Sequence, residues 1–109
     1  MSQRRKLAAI LSADVAGYSR LMGEDEQTTV HTLQSYRAVI QALVSDHQGR
    51  VVNAPGDALL AEFPSAIGAV LCASKIQDEI QRQNEALPEE RRMRFRIGVN
   101  LGDVIEEAD

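Results

Sequence analysis

Two aspartates, Asp14 and Asp57, stand where the sequence passes between an apolar run and a turn. Asp14 ends the run "LAAILSA" and precedes "VAGY", and Asp57 lies in "NAPGDALL" just before the next apolar run. Two carboxylates brought to one place repel each other unless a cation lies between them. Oxygen ligands with no His or Cys nearby favour Mg²⁺ or Mn²⁺ over zinc. If the fold brings these residues together, we expect a site for hard divalent cations.

The same two residues also fit an ordinary structural role. Aspartate is common at strand ends and in Pro-Gly turns, and on spacing alone turn chemistry is the favoured interpretation. A metal site would use the neighbouring backbone as well, since "AGY" can present amide groups to a phosphate. Two ions about 3.5–4 Å apart can clamp the attacking and leaving oxygens of a phosphoryl transfer. The placement of the two segments in the fold therefore decides between the two interpretations.

A short strand and a long helix are predicted in the first half of the chain. Residues 7–13 form a continuous apolar run, which indicates a strand buried on both faces and central in its sheet. From about Glu24 or Asp25, apolar residues recur at steps of three and four, the period of an amphipathic helix, and Gly49 follows the helix end. The predicted apolar face consists of Val30, Leu33, Tyr36 or Arg37, Ile40, Leu43, Val44 and His47.

The second half of the chain predicts a hairpin, a helix and a final strand. Val51 and Val52 enter the hairpin, "NAPGD" turns, and residues 59–63 leave it, so Asp57 lies at the tip. Ser65 is the expected N-cap of a helix that reaches roughly Glu85, and "MRFRIGVNLGDVIEE" alternates as a strand. The predicted apolar faces are Ile67, Val70, Ala73, Ile76 and Ile80 on the helix, and Phe95, Ile97 and Val99 on the strand.

The order β-α-β-β-α-β predicts an α+β fold formed by one domain over residues 1–109. This order is typical of a ferredoxin-like antiparallel sheet with strands in the order 4-1-3-2 and the helices on one face. Strand 1 then runs antiparallel to strand 3, and its C-terminal end lies beside the hairpin tip between strands 2 and 3. The topology therefore predicts that Asp14 and Asp57 meet at one edge of the sheet.

Composition argues against several classes of function. Twelve basic and sixteen acidic residues give a net charge of -4, whereas binding to a nucleic-acid backbone normally needs a clustered basic patch. The single Cys72 lies in an apolar run, which is typical of a small buried side chain rather than a nucleophile. The apolar stretch after "QRRK" is too short for a signal peptide or a membrane span. We therefore expect a cytoplasmic protein without a membrane segment or a nucleic-acid partner.

Three stretches form a set: "AAILSADVAGYSRLMGEDE", "GRVVNAPGDALLAEF" and "RFRIGVNLGDVI". In order and separation they resemble the first three blocks of the class III nucleotidyl cyclase catalytic domain, particularly its bacterial adenylate/guanylate cyclase group. That family converts ATP or GTP to 3′,5′-cyclic nucleotide and pyrophosphate, with two metal ions, at sites formed between two domains of a dimer. The resemblance implies a homodimer or a second cyclase domain as partner. It also implies that Asp14 and Asp57 bind two Mg²⁺ or Mn²⁺ ions, that the Val15 carbonyl is a further ligand, and that the backbone of Ala16, Gly17 and Tyr18 lies against the triphosphate.

The chain departs from the family pattern at the base-selecting position. Adenylate cyclases often carry Lys there and guanylate cyclases Glu, and this chain has Asn53. An amide both donates and accepts hydrogen bonds, so Asn53 cannot choose between ATP and GTP by charge. Its other interpretation is support of the turn before Pro55. ATP is favoured because it is the commoner substrate of the bacterial group.

A second departure concerns the later Asn and Arg of the family, which have no match here. Arg94 and Arg96 are expected to be solvent-facing strand residues, and His31 and His47 to lie on helix surfaces. Loss of transition-state donors costs roughly 10²–10³-fold in rate each, so we expect weak turnover by this stretch alone. An alternative is an inactive cyclase-like module or fragment that binds metal or nucleotide or regulates a partner. A ferredoxin-like RNA-binding domain is disfavoured by the acidic charge and by the lack of aromatic residues on strand 1.

Overall fold

The computed structural model describes residues 2–108, and of residues 2–5, 104 and 106–108 it describes the backbone only. Its strands are β1 (Ser2–Val15), β2 (Arg50–Asn53), β3 (Leu59–Phe63) and β4 (Phe95–Ala108). Its helices are α1 (Tyr18–Glu24), α2 (Glu26–Asp46) and α3 (Ala66–Asn84), and a short 3-10 turn covers Glu89–Arg91. None of the helices in residues 2–108 is both long and apolar enough to cross a membrane.

The four strands form one antiparallel sheet in the order β2-β3-β1-β4. Strand β1 pairs with β3 over residues 9–13 and with β4 along its whole length, from Ser2 opposite Ala108 to Val15 opposite Phe95. Helix α3 packs on β1, β3 and β4, and α2 packs on α3 and β2. The predicted α+β ferredoxin-like fold, its strand order and the central position of β1 are therefore confirmed.

The helices cover one face of the sheet and leave the other face open. From Ala9 to Val15 the odd-numbered positions of β1 face the helices, and Leu11 and Val15 are almost completely buried. Ser12, on the opposite face, is exposed, and Asp14 is half-buried. The prediction that β1 is buried on both faces is therefore wrong. An apolar run rich in Ala is compatible with one covered face, because Ala carries little surface that must be hidden.

Capping explains where the helices begin. Helix α2 starts as predicted, with Asp25 as N-cap, which accepts a 3.0 Å hydrogen bond from the backbone N–H of Thr28. That bond, and a second one from the Thr28 hydroxyl, lower the pKa of Asp25. Ser65 caps α3 as predicted and accepts a 3.0 Å bond from Gly68 N–H. Helix α1 was not predicted, and it buries a single residue, Leu21.

Helix α3 presents a different face to the core than predicted. Ile67 and Val70 are 74% and 55% exposed, so their assignment to the core was wrong. At about 100° per residue, both lie off the line of side chains that faces the sheet. That line consists of Ala69, Cys72, Ile76 and Ile80, which are all buried.

A buried polar cluster joins α2, α3 and the entry to β4. The Tyr36 hydroxyl on α2 donates to Asn84 Oδ1 at 2.7 Å. The Asn84 side-chain amide donates to the Met93 carbonyl at 2.7 Å, and Met93 N–H donates back to Asn84 Oδ1 at 3.2 Å. Because these polar atoms are paired, burial of Asn84 avoids the penalty for an unsatisfied amide.

The close approach of Gly49 to Phe63 generates a prediction about stability. A Cβ atom at Gly49 would lie 2.5 Å from Cε2 of Phe63, whose ring is only 1% exposed and cannot move aside. We expect Gly49→Ala to lower the free energy of unfolding by about 1–3 kcal/mol, the usual cost of overpacking a core. Urea unfolding followed by circular dichroism measures the change.

Gly23→Ala is the matched control. Gly23 lies in α1 with no heavy atom within 4 Å of an added Cβ, and Ala is favoured over Gly inside a helix by about 1 kcal/mol. This variant should therefore unfold at the same urea concentration as the wild type or at a higher one. Equal destabilisation by the two substitutions would contradict the steric explanation for Gly49.

Candidate functional site

The hairpin tip is tied directly to the end of β1. The backbone N–H of Val15 donates a 3.0 Å hydrogen bond to Oδ2 of Asp57, across 42 positions of sequence. Val15 follows Asp14, so this bond places the Asp57 carboxylate beside the residue that carries the other acid. The two aspartates that we expected at one edge of the sheet lie in segments that contact each other there.

A glycine in a left-handed backbone conformation lies within three residues of each aspartate. Gly56 precedes Asp57 and has φ of 57°, inside a turn closed by a 2.9 Å bond from Ala58 N–H to the Pro55 carbonyl. Gly17 has φ of 70° and forms the N-cap of α1. Residues with a Cβ rarely adopt such φ values, so these two glycines permit the sharp turns that follow β1 and precede β3.

Arg96 on β4 faces Asp14 across the sheet. The antiparallel register places the two residues opposite each other, and Arg96 Nε donates to Asp14 Oδ1 at 2.8 Å. The Asp14 hydrogen bond and charge, with a smaller effect of Asp57, raise the pKa of the Arg96 guanidinium. Since the two side chains are 69% and 42% exposed, the pair contributes little to stability. Arg96 is thus solvent-facing, as expected, but it also belongs to the site.

A shallow depression opens beside this ion pair on the uncovered face of the sheet. Its volume is about 270 Å³, and it is lined by Ser12, Ala13, Asp14, Arg96, Ile97 and Gly98. A larger depression, of about 420 Å³, lies at the C-terminal end of α3 and is lined by residues such as Gln77, Asn84 and Met93. The larger depression contains neither aspartate of the candidate site, so the smaller one is the better location for chemistry at Asp14.

The donor atoms at this edge suit a hard cation only as part of a larger ligand set. Within residues 2–108, no group of three or more His, Cys, Asp or Glu side chains is arranged to hold a metal ion. Asp14 and Asp57 offer two carboxylates, and the predicted third ligand, the Val15 carbonyl, is also an oxygen. An all-oxygen set of this kind fits Mg²⁺ or Mn²⁺. An ion at Asp14 Oδ1 would compete with Arg96 for that oxygen.

The backbone predicted to contact phosphate is only partly free. The N–H of Ala16 donates to the Arg94 carbonyl at 2.8 Å, so in this structure that amide is not available to a ligand. Tyr18 is the first residue of α1, where the N–H groups of the first turn have no partner inside the helix. The prediction of amide contacts to a triphosphate therefore remains for Gly17 and Tyr18.

Asn53 supports the turn before Pro55, which is the structural role that we considered as its alternative. Its Oδ1 accepts a 2.9 Å bond from the N–H of Ala54, at the exposed end of β2 opposite Leu60. The side-chain NH₂ group remains as a donor. A role for Asn53 in binding the purine base stays a prediction.

The other candidate side chains lie away from the aspartates. Cys72 is completely buried in α3; burial, followed by the nearby charge of Asp46, raises the pKa of its thiol to about 11. His31 is exposed on α2, and His47 Nδ1 lies 2.8 Å from the Leu43 carbonyl at the end of α2. These positions agree with the roles we expected for them.

Similar proteins share both sequence and fold with this chain. It is 50% identical to "Putative adenylate cyclase 3" of Rhizobium meliloti (strain 1021) over 99% of the chain and 19% of that protein. It is 31% identical to the serine/threonine-protein kinase pkn2 of Myxococcus xanthus over 92% of the chain and 12% of the kinase. The chain thus spans less than a fifth of either protein. No protein-family model matches the sequence.

The fold also matches solved structures. An adenylate/guanylate cyclase/hydrolase from Silicibacter pomeroyi superimposes with a TM-score of 0.86 at 39% sequence identity. The superposition covers 98% of this chain and 63% of that protein chain. This chain therefore matches about two thirds of the length of that protein chain.

The burial of Cys72 leads to a prediction about its reactivity. Its pKa of about 11, against an ordinary value of 9.0, keeps the thiol protonated in the folded protein at mildly alkaline pH. Because the thiolate is the reactive form, we expect the folded protein to react with Ellman's reagent at least about 100-fold more slowly than the urea-unfolded protein. Complete labelling of the folded protein at the rate of the unfolded one would contradict the buried position.

Proposed function

Because the chain belongs with the class III nucleotidyl cyclase domains in sequence and fold, we propose that it supplies part of a nucleotidyl cyclase active site. The reaction converts ATP or GTP to 3′,5′-cyclic nucleotide and pyrophosphate. The observation that carries this function is the 3.0 Å hydrogen bond from Val15 N–H to Asp57, which holds the second acid beside the first. Turnover is proposed for the domain as it occurs in the full-length protein.

Asp14 and Asp57 are the proposed metal-binding residues, and the Val15 carbonyl is the proposed third ligand. Two Mg²⁺ or Mn²⁺ ions bound here would activate the ribose 3′-hydroxyl and neutralise charge on the leaving pyrophosphate. The bond from the 3′-oxygen to the α-phosphorus would form as the bond from the α-phosphorus to the bridging oxygen breaks; pyrophosphate leaves with that oxygen, and the hydroxyl proton passes to solvent water. The two carboxylates would act by holding the metal ions that place the reacting groups. The 3′-hydroxyl attacks the phosphorus directly, so no covalent intermediate with the protein is required.

Arg96 has a proposed role at the phosphates. Its guanidinium is mostly exposed, and its described hydrogen bond is to Asp14, so a cation bound at Asp14 would release it toward the open face of the sheet. Guanidinium groups bind phosphate oxygens with strong charge-assisted bonds. The backbone of Gly17 and Tyr18 lies on the same edge and is proposed to contact the triphosphate.

ATP is the proposed substrate, with GTP as the alternative. The relative at 50% identity bears the name of an adenylate cyclase, while the Asn53 amide can still donate and accept hydrogen bonds but offers no charge to select the base. The site is proposed to be completed by a second domain of the same kind, in a homodimer or from a different chain. If the protein binds metal and ATP but forms no cyclic nucleotide, the alternative function, a nucleotide-binding regulatory module, is supported instead of a cyclase.

Substitution of the two acids tests the proposed reaction. In the full-length protein, Asp14→Asn and Asp57→Asn should each lower the rate of cyclic nucleotide formation by about 100-fold or more, because each weakens charge stabilisation in the transition state. Formation of cyclic AMP and cyclic GMP is measured with Mn²⁺ and with Mg²⁺. Asp78→Asn, at an exposed position of α3, is the control and should leave the rate unchanged.

Two results would count against this function. A full-length wild-type protein that forms neither cyclic nucleotide with either metal contradicts the cyclase reaction itself. Normal rates in the Asp14 and Asp57 variants of an active protein contradict only their metal-binding roles.

Nucleotide binding gives a second prediction. With Mn²⁺ present, ATP at about 100 times its Kd should stabilise the folded protein by about 2.7 kcal/mol, measured as a rise in Tm. Without metal the rise should be much smaller, and it should disappear in the variant that combines Asp14→Ala with Asp57→Ala. A metal-dependent rise that survives in this double variant would exclude the two aspartates as ligands.

A further inference from the structure

Arg37 on α2 binds the loop that carries Asp57. Its Nη2 donates to the carbonyl of Ala54 at 3.3 Å, to that of Ala58 at 3.0 Å, and also to that of Gly56. The three acceptors lie within five consecutive residues, on both sides of Asp57. One guanidinium therefore organises most of the connection between β2 and β3.

The environment of Arg37 is unusual for a charged side chain. Its Nε is buried and has no hydrogen-bond partner, and among the described contacts no carboxylate pairs with it. A buried polar atom without a partner lowers stability, and the bonds of the same guanidinium to the loop carbonyls offset that cost. Its positive charge is met by the carbonyl groups of the loop.

The loop itself has few other restraints on its conformation. Inside it are the turn bond from Ala58 to Pro55 and the bond from Ala54 N–H to the Asn53 side chain. Gly56 has a positive φ, and glycine has the widest choice of conformations in the absence of contacts. Outside contacts are therefore needed to keep the carboxylate of Asp57 directed at the N–H of Val15.

We infer that Arg37 is a positioning residue for the metal-binding site: it holds the 54–58 loop in the conformation that presents Asp57 to the end of β1. This role rests on the proposed function of Asp57 as a metal ligand. Arg37 acts on the metal only through the loop. The anchor for Arg37 is α2, which is fixed in the core by Leu33, Tyr36, Ile40 and Val44, so the helix does not need Arg37 for its own packing.

Mn²⁺ affinity measures this role directly. We expect Arg37→Ala in the full-length protein to raise the Kd for Mn²⁺ by about tenfold or more, the usual effect of removing a group that orients a metal ligand. Electron paramagnetic resonance of free Mn²⁺ gives the Kd. Arg37→Lys should recover much of the affinity, because an ammonium group has three donors for the same carbonyls.

Arg91 offers a matched control for general loss of stability. Its guanidinium also donates to backbone carbonyls, those of Leu21 and Asp25, and to the hydroxyl of Thr29, and its Nε is likewise buried without a partner. Arg91 links the 3-10 turn to the junction between α1 and α2, whereas Arg37 links α2 to the 54–58 loop. Arg91→Ala should lower Tm to a similar extent but leave the Kd for Mn²⁺ unchanged.

Hydrogen exchange at the amides of residue 54 and residues 56–58, measured without metal, separates failure of the proposed function from failure of the role of Arg37. We expect faster exchange there in Arg37→Ala and not in Arg91→Ala. If wild-type protein binds no Mn²⁺, the proposed function fails, and the inference fails with it. If wild-type protein binds Mn²⁺, then unchanged affinity or unchanged loop exchange in Arg37→Ala, or an equal loss of affinity in Arg91→Ala, overturns the role of Arg37 and leaves the proposed function intact.

Discussion

Strand β1 is hydrogen-bonded along both edges, and the rest of the molecule depends on the register of these two pairings. Pairing with β3 brings the hairpin tip to the end of β1, and pairing with β4 sets Arg96 opposite Asp14. A slip of one residue would exchange the two faces of β1. Asp14 would then enter the core and Leu11 would face solvent. The same register therefore determines both the packing of the core and the composition of the site.

The repulsion between the two aspartates is already balanced in part by the chain itself. Asp57 accepts a hydrogen bond from an amide N–H and Asp14 accepts one from a guanidinium, so each carboxylate already lies beside a positively polarised or charged group. A divalent cation is therefore not the only way in which the fold can tolerate two acids at one edge. Arg96 is a mostly exposed cation, so its separation from Asp14 would cost little stability.

The fold was predictable because its signals are repeated along the chain. The periodicity of α2, the N-cap Ser65 and the turn at Gly56 all agree with one topology. The errors arose where a few residues carry the pattern: α1 is only seven residues long, and Ile67 and Val70 were assigned to the core because their spacing continues the apolar face of α3. The contact between Arg37 and the loop could not be predicted from the sequence. It depends on where the helix crosses the hairpin in space, and no residue spacing indicates that position.

Strand β4 lies at the edge of the sheet and is 14 residues long. At about 3.4 Å per residue, its outer side presents a row of backbone groups about 48 Å long, and within residues 2–108 no strand pairs with that side. The Gln77 side chain covers one of the strand's carbonyls, that of Phe95, through a 2.8 Å bond. Open edges of this kind are templates on which further strands add. The outer side of β4 is therefore the longest surface of this sheet, within residues 2–108, on which a further strand could pair.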